Sequence, residues 1–317
     1  MTISGYTFVR NATKLAFPFK ESLLSILDLV DEFVIAYSPG DDDDKTLELI
    51  ESIGSDKIRI IYADWEPERF KQNTLYSHLS DIAKDNCHGD WLFYLQADEV
   101  IHEQYLDVIK NACQHYHEND NVQGLLFNYR HFWGDYDHCF THHSWYPHEI
   151  RIIRNNPAIH SWRDAQSFRL FDDFDANTEN YQKKEGTHKL KVAAIPAYVY
   201  HYGWVRNPIK MRTKQNRMDL TWDPKRPVAI EKSIDYGPLS KVPLFAGSHP
   251  AVMQEKINNI NWQDSLQHTG KIMPGRPKYK HEKLKYRIRS WIEINLLGGW
   301  EIGGFKNYKI VDRYKGS

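Results

Sequence analysis

The segment DWLFYLQADEV, residues 90–100, decides the fold class of this chain. Its five apolar residues, Trp91 to Leu95, have the length and composition of a buried strand, yet they end at Gln96-Ala97-Asp98-Glu99. Burying an unpaired carboxylate is costly. We therefore expect the two acids to lie at the exposed end of a strand, each beside a cationic partner.

The sequence before residue 90 alternates between strand and helix patterns. Strand patterns occur at 2–9, 32–38 and 57–63, and helical patterns at about 18–29, 45–53 and 75–87. Strands separated by helices at this interval form parallel βαβ units, whose sheet is covered on both faces. The prediction is an α/β fold, a three-layer α/β/α sandwich around a mostly parallel central sheet.

Polar side chains follow each of the four predicted strands. They are Arg10-Asn11, Ser38 to Asp44, Asp64 and Asp98-Glu99. Parallel α/β sheets bind ligands outside the carboxyl ends of their strands. We therefore expect one binding site along this rim of the sheet.

The second half of the chain has a different character. Further strands are predicted at 122–134, 148–155 and 193–206. After residue 206 the chain is rich in Lys, Arg, Pro and Trp. We interpret 1–206 as one nucleotide-binding and catalytic domain. We interpret 207–317 as a mainly helical or irregular C-terminal extension packed on that core.

Composition favours a folded protein: the 317 residues are 41% hydrophobic and 26% charged. A net charge of −1 gives no basic field for nucleic acid. Three cysteines indicate a reducing compartment, and neither a signal peptide nor a membrane span is recognisable, so a cytoplasmic location is expected. The aromatic content of 14% provides flat faces that suit sugars and nucleobases.

The acids at 98 and 99 have two interpretations. One is a solvated strand end. The other is a site for a hard cation, because carboxylate oxygens suit Mg²⁺ or Mn²⁺, which often retain substrate phosphates among their ligands. Such an ion would neutralise the charge that develops on a phosphate leaving group.

From about residue 2 to 206, the chain resembles the glycosyltransferases of family 2, which have the GT-A fold. YLQADEV resembles their Asp-x-Asp motif, although Gln96 stands where the family has its first acid. FVRNATKL and IAYSPGDDDDKT resemble the ends of the family's first two strands. YVYHYGWVR resembles a segment that supplies a histidine metal ligand in some members.

The resemblance implies roles for particular residues. Asp98, with His201, would hold Mn²⁺ or Mg²⁺, and Arg206 and Lys210 would bind the diphosphate. The nucleoside would be held by residues at the strand ends: Phe8, Arg10, Asn11, Ser38, Asp43, Gln96 and Ala97.

The resemblance also implies an inverting, hexosyltransferase-like displacement in which a carboxylate takes the proton of the attacking hydroxyl. Asp164, in IHSWRDAQSFR, is the first candidate for this base, and Glu149 is the second. An ion pair with Arg163 or Arg169 is the structural alternative for Asp164. Flat faces for an acceptor would come from Trp133, Trp145 and Trp162.

Two other functions stay open. A sugar-phosphate nucleotidyltransferase has a similar sheet and acidic site, and Gln96 is also compatible with a sugar-nucleotide-binding protein without turnover. The family further implies polysaccharide biosynthesis, a saccharide or other hydroxyl acceptor, and peripheral contact with a membrane. A basic amphipathic helix within 276–297 would suit that contact, and an ordinary surface helix is the alternative.

Overall fold

The computed structural model describes residues 1–140, 145–298, 301–304 and 306–316. Its twelve described strands are β1 (Ile3–Val9), β2 (Glu32–Tyr37), β3 (Ile58–Tyr62), β4 (Trp91–Tyr94), β5 (Glu99–Ile101), β6 (Gly124–Trp133), β7 (Cys139–Phe140), β8 (His148–Arg154), β9 (Ile159–Trp162), β10 (Ser167–Phe171), β11 (Thr187–Trp204) and β12 (Tyr308–Arg313). Its eight described α-helices are α1 (Phe19–Leu27), α2 (Thr46–Glu51), α3 (Thr74–Asp85), α4 (Leu106–His115), α5 (Thr178–Gln182), α6 (Pro208–Trp222), α7 (Gln254–Asn258) and α8 (Leu284–Asn295).

The strands form one mixed sheet in the order β3-β2-β1-β4-β8-β6-β11-β10-β9. Strands β1 to β4 pair in parallel, as does β6 with β11. Strand β8 is antiparallel to both β4 and β6, between which it lies. The polar segments that follow β1, β2 and β4 therefore meet at the same edge of the sheet, as the sequence predicts.

Apolar layers cover both faces of the sheet. One is formed with α1 and α4, which contribute Phe19, Leu23 and Ile109. The other is formed with α3, which contributes Leu75 and Leu79. The predicted three-layer α/β sandwich is confirmed.

The residues after 206 contact this sheet at several points. Helix α6 begins four residues after β11 ends, and Asn207 caps it by accepting a hydrogen bond from the Ile209 N–H. Strand β12, which the sequence patterns do not predict, joins the sheet beside β11. Within the described ranges, no helix has the length and apolar character needed to cross a membrane.

Candidate active site

The second acid of the opening segment, Glu99, is paired with a buried arginine. Arg151 on β8 donates from Nε and Nη2 to the two Glu99 carboxylate oxygens, each at 2.8 Å. The Tyr129 hydroxyl and the Gln96 backbone N–H donate to the same carboxylate at 2.8 and 3.1 Å. Both Glu99 and Arg151 are fully buried. Glu99 and Arg151 therefore form a structural ion pair beneath the rim of the sheet.

The first acid, Asp98, faces a large cavity and is paired with a lysine from α6. Lys214 Nζ donates to Asp98 Oδ2 at 2.9 Å and to the Gly203 carbonyl oxygen at 2.9 Å. Burial alone would raise the pKa of Asp98, but the positive charges of Lys214 and Arg206, together with the hydrogen bond from Lys214, outweigh it and hold that pKa well below its usual value. Asp98 is thus ionised and already has one cationic partner.

His201 presents a nitrogen lone pair to the other oxygen of Asp98. His131 Nε2 lies 2.7 Å from the Tyr146 carbonyl oxygen, which only accepts, so this nitrogen carries the hydrogen. Burial lowers the pKa of both rings, that of His201 to about 4, so both are neutral at pH 7. His131 Nδ1 must then accept from His201 Nδ1, 2.9 Å away. His201 Nε2 is left unprotonated, 3.7 Å from Asp98 Oδ1.

This arrangement provides two suitable ligands for a divalent cation. The second ring nitrogen of His201 is fixed by a hydrogen bond, as is usual for metal-binding histidines. The space beside the pair depends on Gly203, because a Cβ there would lie 2.5 Å from His201 Nε2 and 3.0 Å from Asp98 Oδ2. No cluster of three or more His, Cys, Asp or Glu that could hold a metal occurs in the part of the chain that the structure describes.

The cavity in front of Asp98 has a volume of about 620 Å³, within the range of small-molecule sites. Phe8 and Tyr76 stack on its wall with ring centroids 5.5 Å apart, and Trp65 lies 6.1 Å from Tyr76. The Arg10 guanidinium lies 5.1 Å from the centre of the Trp65 ring. Aromatic faces beside a cation suit a nucleobase and its phosphates.

Asp41 forms ion pairs with three basic side chains at the edge of this cavity. It accepts from Arg10 at 3.3 Å and is paired with Lys14 at 2.7 Å. Arg217, on α6, contacts both of its carboxylate oxygens. Hydrogen bonds from Arg217 and Lys14 hold the pKa of Asp41 well below its usual value. The cluster ties α6 to the ends of β1 and β2 across the cavity.

Asp164 lies on the cavity wall in the tight turn between β9 and β10. The residues on either side, Arg163 and Ala165, have φ values of 62° and 58°, an uncommon backbone conformation for side chains other than glycine. Ser77 holds the turn, since its Oγ donates to the Arg163 carbonyl oxygen at 3.0 Å and accepts from the Ala165 N–H at 3.1 Å. Burial raises the pKa of Asp164.

Gln96 connects the acidic strand end to this turn. Its amide Nε2 donates to the Ala165 carbonyl oxygen at 3.2 Å. An ionised aspartate at this position has no hydrogen to donate. Gln96 therefore supports the turn that carries Asp164, and it also lines the cavity.

Glu149, the second candidate base, is buried in β8 and does not line the cavity that holds Asp98. Its Oε1 accepts from Gln166 Nε2 at 2.8 Å, and its Oε2 has no hydrogen-bond partner. Burial raises its pKa to about 8, so it is largely protonated at pH 7. A protonated carboxyl is a poor proton acceptor.

The structure separates the remaining predicted ligands. Phe8, Arg10, Asn11, Ala97 and His201 line the cavity with Asp98. The other predicted ligands of the nucleoside and diphosphate do not line it: Ser38 is fully buried, Asp43 is exposed and bound to Lys14, Arg206 is buried against the Leu15 and Gly203 carbonyl oxygens, and Lys210 is exposed.

The three predicted acceptor tryptophans also lie in different places. Trp145 lines both the main cavity and a second cavity of about 760 Å³, and Trp133 lines the second. Tyr146, Gln166 and Trp204 are common to both cavities. Trp162 is buried, and its indole N–H donates to the Lys183 carbonyl oxygen at 3.0 Å. Residues 141–144, which lie between Trp133 and Trp145 in the sequence, are outside the described residues.

One face of helix α6 lines the cavity although the sequence patterns did not predict it there. Met211, Lys214, Gln215 and Met218 line the cavity at the helical spacing i, i+3, i+4 and i+7. This spacing was visible in the sequence, but which element the helix would cover was not.

No protein family model matches the chain, and no curated protein matches it. Among solved structures, it is similar to S. aureus TarS in complex with UDP-GlcNAc, with 15% identity over 70% of this chain and 66% of that chain, and a TM-score of 0.39. It is also similar to glucosyl-3-phosphoglycerate synthase from Mycobacterium tuberculosis in complex with Mn²⁺, UDP and glucosyl-3-phosphoglycerate. That match has 19% identity over 42% of this chain and 45% of that chain, and a TM-score of 0.29.

A TarS structure in complex with UDP matches with 18% identity over 42% of this chain and 36% of that chain, and a TM-score of 0.30. The chain thus spans about a third to two thirds of the length of these TarS chains. At this identity and TM-score, the likeness carries no argument about function.

Proposed function

We propose that the protein is an inverting glycosyltransferase that moves a sugar from a nucleotide-sugar donor to a hydroxyl group of a saccharide or other acceptor. The observation that carries this proposal is the set of side chains that line the main cavity. Stacked aromatic rings, a buried Asp98–Lys214 pair and the half-buried side chain of Asp164 line one cavity at the carboxyl ends of β1 and β4.

In the proposed reaction, the acceptor oxygen attacks the anomeric carbon and its proton passes to Asp164. The bond between the anomeric carbon and the diphosphate oxygen breaks, and the electron pair leaves with the nucleoside diphosphate. Asp164 is suited to this role because its raised pKa strengthens it as a proton acceptor while its turn is held rigidly. The lysine at Asp98 would face the departing diphosphate.

The acceptor would enter through the second cavity, which shares Trp145 and Trp204 with the first. A cavity joined to the donor site through aromatic walls can bring an acceptor hydroxyl close to Asp164 while presenting flat faces to a sugar ring. Polysaccharide biosynthesis is the setting that we propose for such a reaction.

A divalent cation, Mn²⁺ or Mg²⁺, would be held by Asp98 and His201 and would add positive charge at the diphosphate. The remaining ligands would come from the diphosphate and water. The hydrogen bond with His131 orients the His201 ring. Because Gly203 has no side chain, space remains for the ion beside Asp98 and His201.

The first experiment measures thermal stabilisation by UDP, GDP and CDP, each with and without Mn²⁺, in wild type and Asp98→Ala. Selective stabilisation by one nucleotide that is lost in the variant supports the donor site. Indifference to all three nucleotides under both conditions contradicts the glycosyltransferase proposal.

The second experiment follows product release with the matching nucleotide sugar by ³¹P NMR. A glycosyltransferase releases nucleoside diphosphate, whereas a nucleotidyltransferase exchanges pyrophosphate, and binding without either product favours a binding protein. Asp164→Asn should retain nucleotide binding and lose product formation by about 10²–10⁴-fold. Asp173→Asn, an exposed aspartate, is the matched control and should keep both.

We also propose that α8 contacts an anionic membrane surface. Leu284, Ile288 and Trp291 lie on one side of this helix at i, i+4 and i+7, and they are 68%, 51% and 58% exposed. Lys285 and Arg287 lie beside this apolar stripe. An exposed apolar stripe flanked by basic residues is typical of helices that lie in a membrane interface.

Sedimentation with phosphatidylglycerol vesicles tests this contact, with phosphatidylcholine vesicles for comparison. Trp291→Glu should reduce binding to the anionic vesicles severalfold. Ile230→Glu changes an isolated residue that is 97% exposed and should leave binding unchanged. Equal binding of wild type and Trp291→Glu would refute the membrane contact.

A further inference from the structure

The cation that pairs with Asp98 in this structure is a side chain of the protein itself, Lys214. Lys214 is buried, comes from the cavity face of α6, and reaches Asp98 Oδ2 and the Gly203 carbonyl oxygen at 2.9 Å each. An ammonium group has three hydrogens to donate. The third makes no hydrogen bond among the described residues, and Lys214 lines the cavity. This hydrogen is therefore available to a ligand oxygen.

A second buried cation lies behind the first. Arg206 donates from Nε to the Leu15 carbonyl oxygen at 2.8 Å and from Nη1 to that of Gly203, and its Nη2 has no partner among the described atoms. Gly203 thus accepts from both Lys214 and Arg206, so the two cations are neighbours. These two cations and the one carboxylate of Asp98 sum to a net charge of +1, which favours an anionic ligand at this end of the cavity.

A divalent cation would have to share Asp98 with Lys214. Oδ2 is bound to the ammonium, so the oxygen open to a metal is Oδ1, opposite His201 Nε2. A fixed positive charge on the same carboxylate repels an incoming metal ion and weakens its binding. The same charge attracts the phosphate groups of a nucleotide.

We infer that Lys214 is the resident cation of the diphosphate subsite, so that a nucleoside diphosphate binds without a divalent metal and a metal alone binds weakly. This inference rests on the proposed function, because it assigns the subsite to the diphosphate of a nucleotide sugar. It assigns to Lys214, a residue outside the family's acidic motif, the charge that the motif's metal supplies. A metal that joins the nucleotide would add to this charge.

The inference predicts two opposite effects of Lys214→Met. In the presence of EDTA, titration calorimetry with the nucleotide selected above should show binding to wild type, and binding at least tenfold weaker to the variant. Without nucleotide, Mn²⁺ binding followed by electron paramagnetic resonance should be at least threefold tighter in the variant, because the repelling charge is gone. Lys110→Met, an exposed lysine on α4, should change neither measurement.

Lys214→Met leaves Asp98 buried without a counter-ion and can fail to fold. The double variant Asp98→Asn/Lys214→Met removes both charges and keeps the test decisive, because it too should lose metal-free nucleotide binding. Wild-type-like nucleotide binding by the double variant in EDTA would overturn the inference.

The results separate this inference from the proposed function. Wild-type binding of a nucleotide that requires Mn²⁺ and is absent in EDTA refutes the role of Lys214 and leaves the glycosyltransferase proposal standing. Absence of nucleotide binding with and without Mn²⁺ refutes both.

Discussion

The buried pair between Glu99 and Arg151 predicts a large loss of stability when the arginine is removed. Arg151 makes four hydrogen bonds, two to the Glu99 carboxylate at 2.8 Å and one each to the Ile150 and Gln166 carbonyl oxygens at 2.9 Å. Arg151→Met would leave a fully buried carboxylate with the Tyr129 and Gln96 donors alone. Breaking such a pair typically costs about 3–5 kcal/mol.

We therefore expect Arg151→Met to lower the free energy of unfolding by about 3–5 kcal/mol in urea titrations. Arg69→Met is the matched control: Arg69 is 60% exposed and pairs with Glu66 at 3.2 Å, so its loss should cost at most about 1 kcal/mol. The double variant Glu99→Gln/Arg151→Met removes the uncompensated charge. It should be more stable than Arg151→Met by about 2 kcal/mol.

Two results would contradict this reasoning. The first is an Arg151→Met variant within about 1 kcal/mol of wild type, as expected for an exposed pair. The second is a double variant no more stable than Arg151→Met, which would show that the lost packing of the arginine, and not the unpaired carboxylate, sets the cost.

Three further predictions concern the site. The folded state retains a proton on Glu149 up to its pKa of about 8, whereas an ordinary Glu releases it near 4.5, so wild type loses stability across this window as pH rises. Glu149→Gln should gain stability relative to wild type from pH 5 to 8 in urea titrations, unlike the exposed Glu118→Gln. Gln96→Met should lower kcat about tenfold and change nucleotide affinity less than threefold, since it releases the turn of Asp164; unchanged kcat would contradict this role. Trp65→Ala should weaken nucleotide binding about tenfold in calorimetry through lost base stacking, and full affinity would place the base elsewhere.

The sequence predicts the sheet well where strands and helices alternate. Strands β1 to β4 and helices α1 to α3 lie within a few residues of their predicted positions, because apolar periodicity is a local property. Strands β9 and β10 are short and are joined by a turn with left-handed residues at Arg163 and Ala165, which carry no glycine signal. Strand β12 pairs with β11 across more than a hundred residues of chain, a contact that local patterns do not encode.

The sequence by itself determined that two carboxylates end a central strand and require cations. Only the tertiary structure decided which cations these are, because Arg151 and Lys214 lie 52 and 116 residues away from the acids that they neutralise. The tertiary structure also places the two adjacent acids in different environments. Glu99 is buried beneath the sheet rim, while Asp98 faces the cavity. The sequence shows that a residue carries an ionisable group, but the way distant segments fold together sets its ion-pair partner and its exposure to solvent.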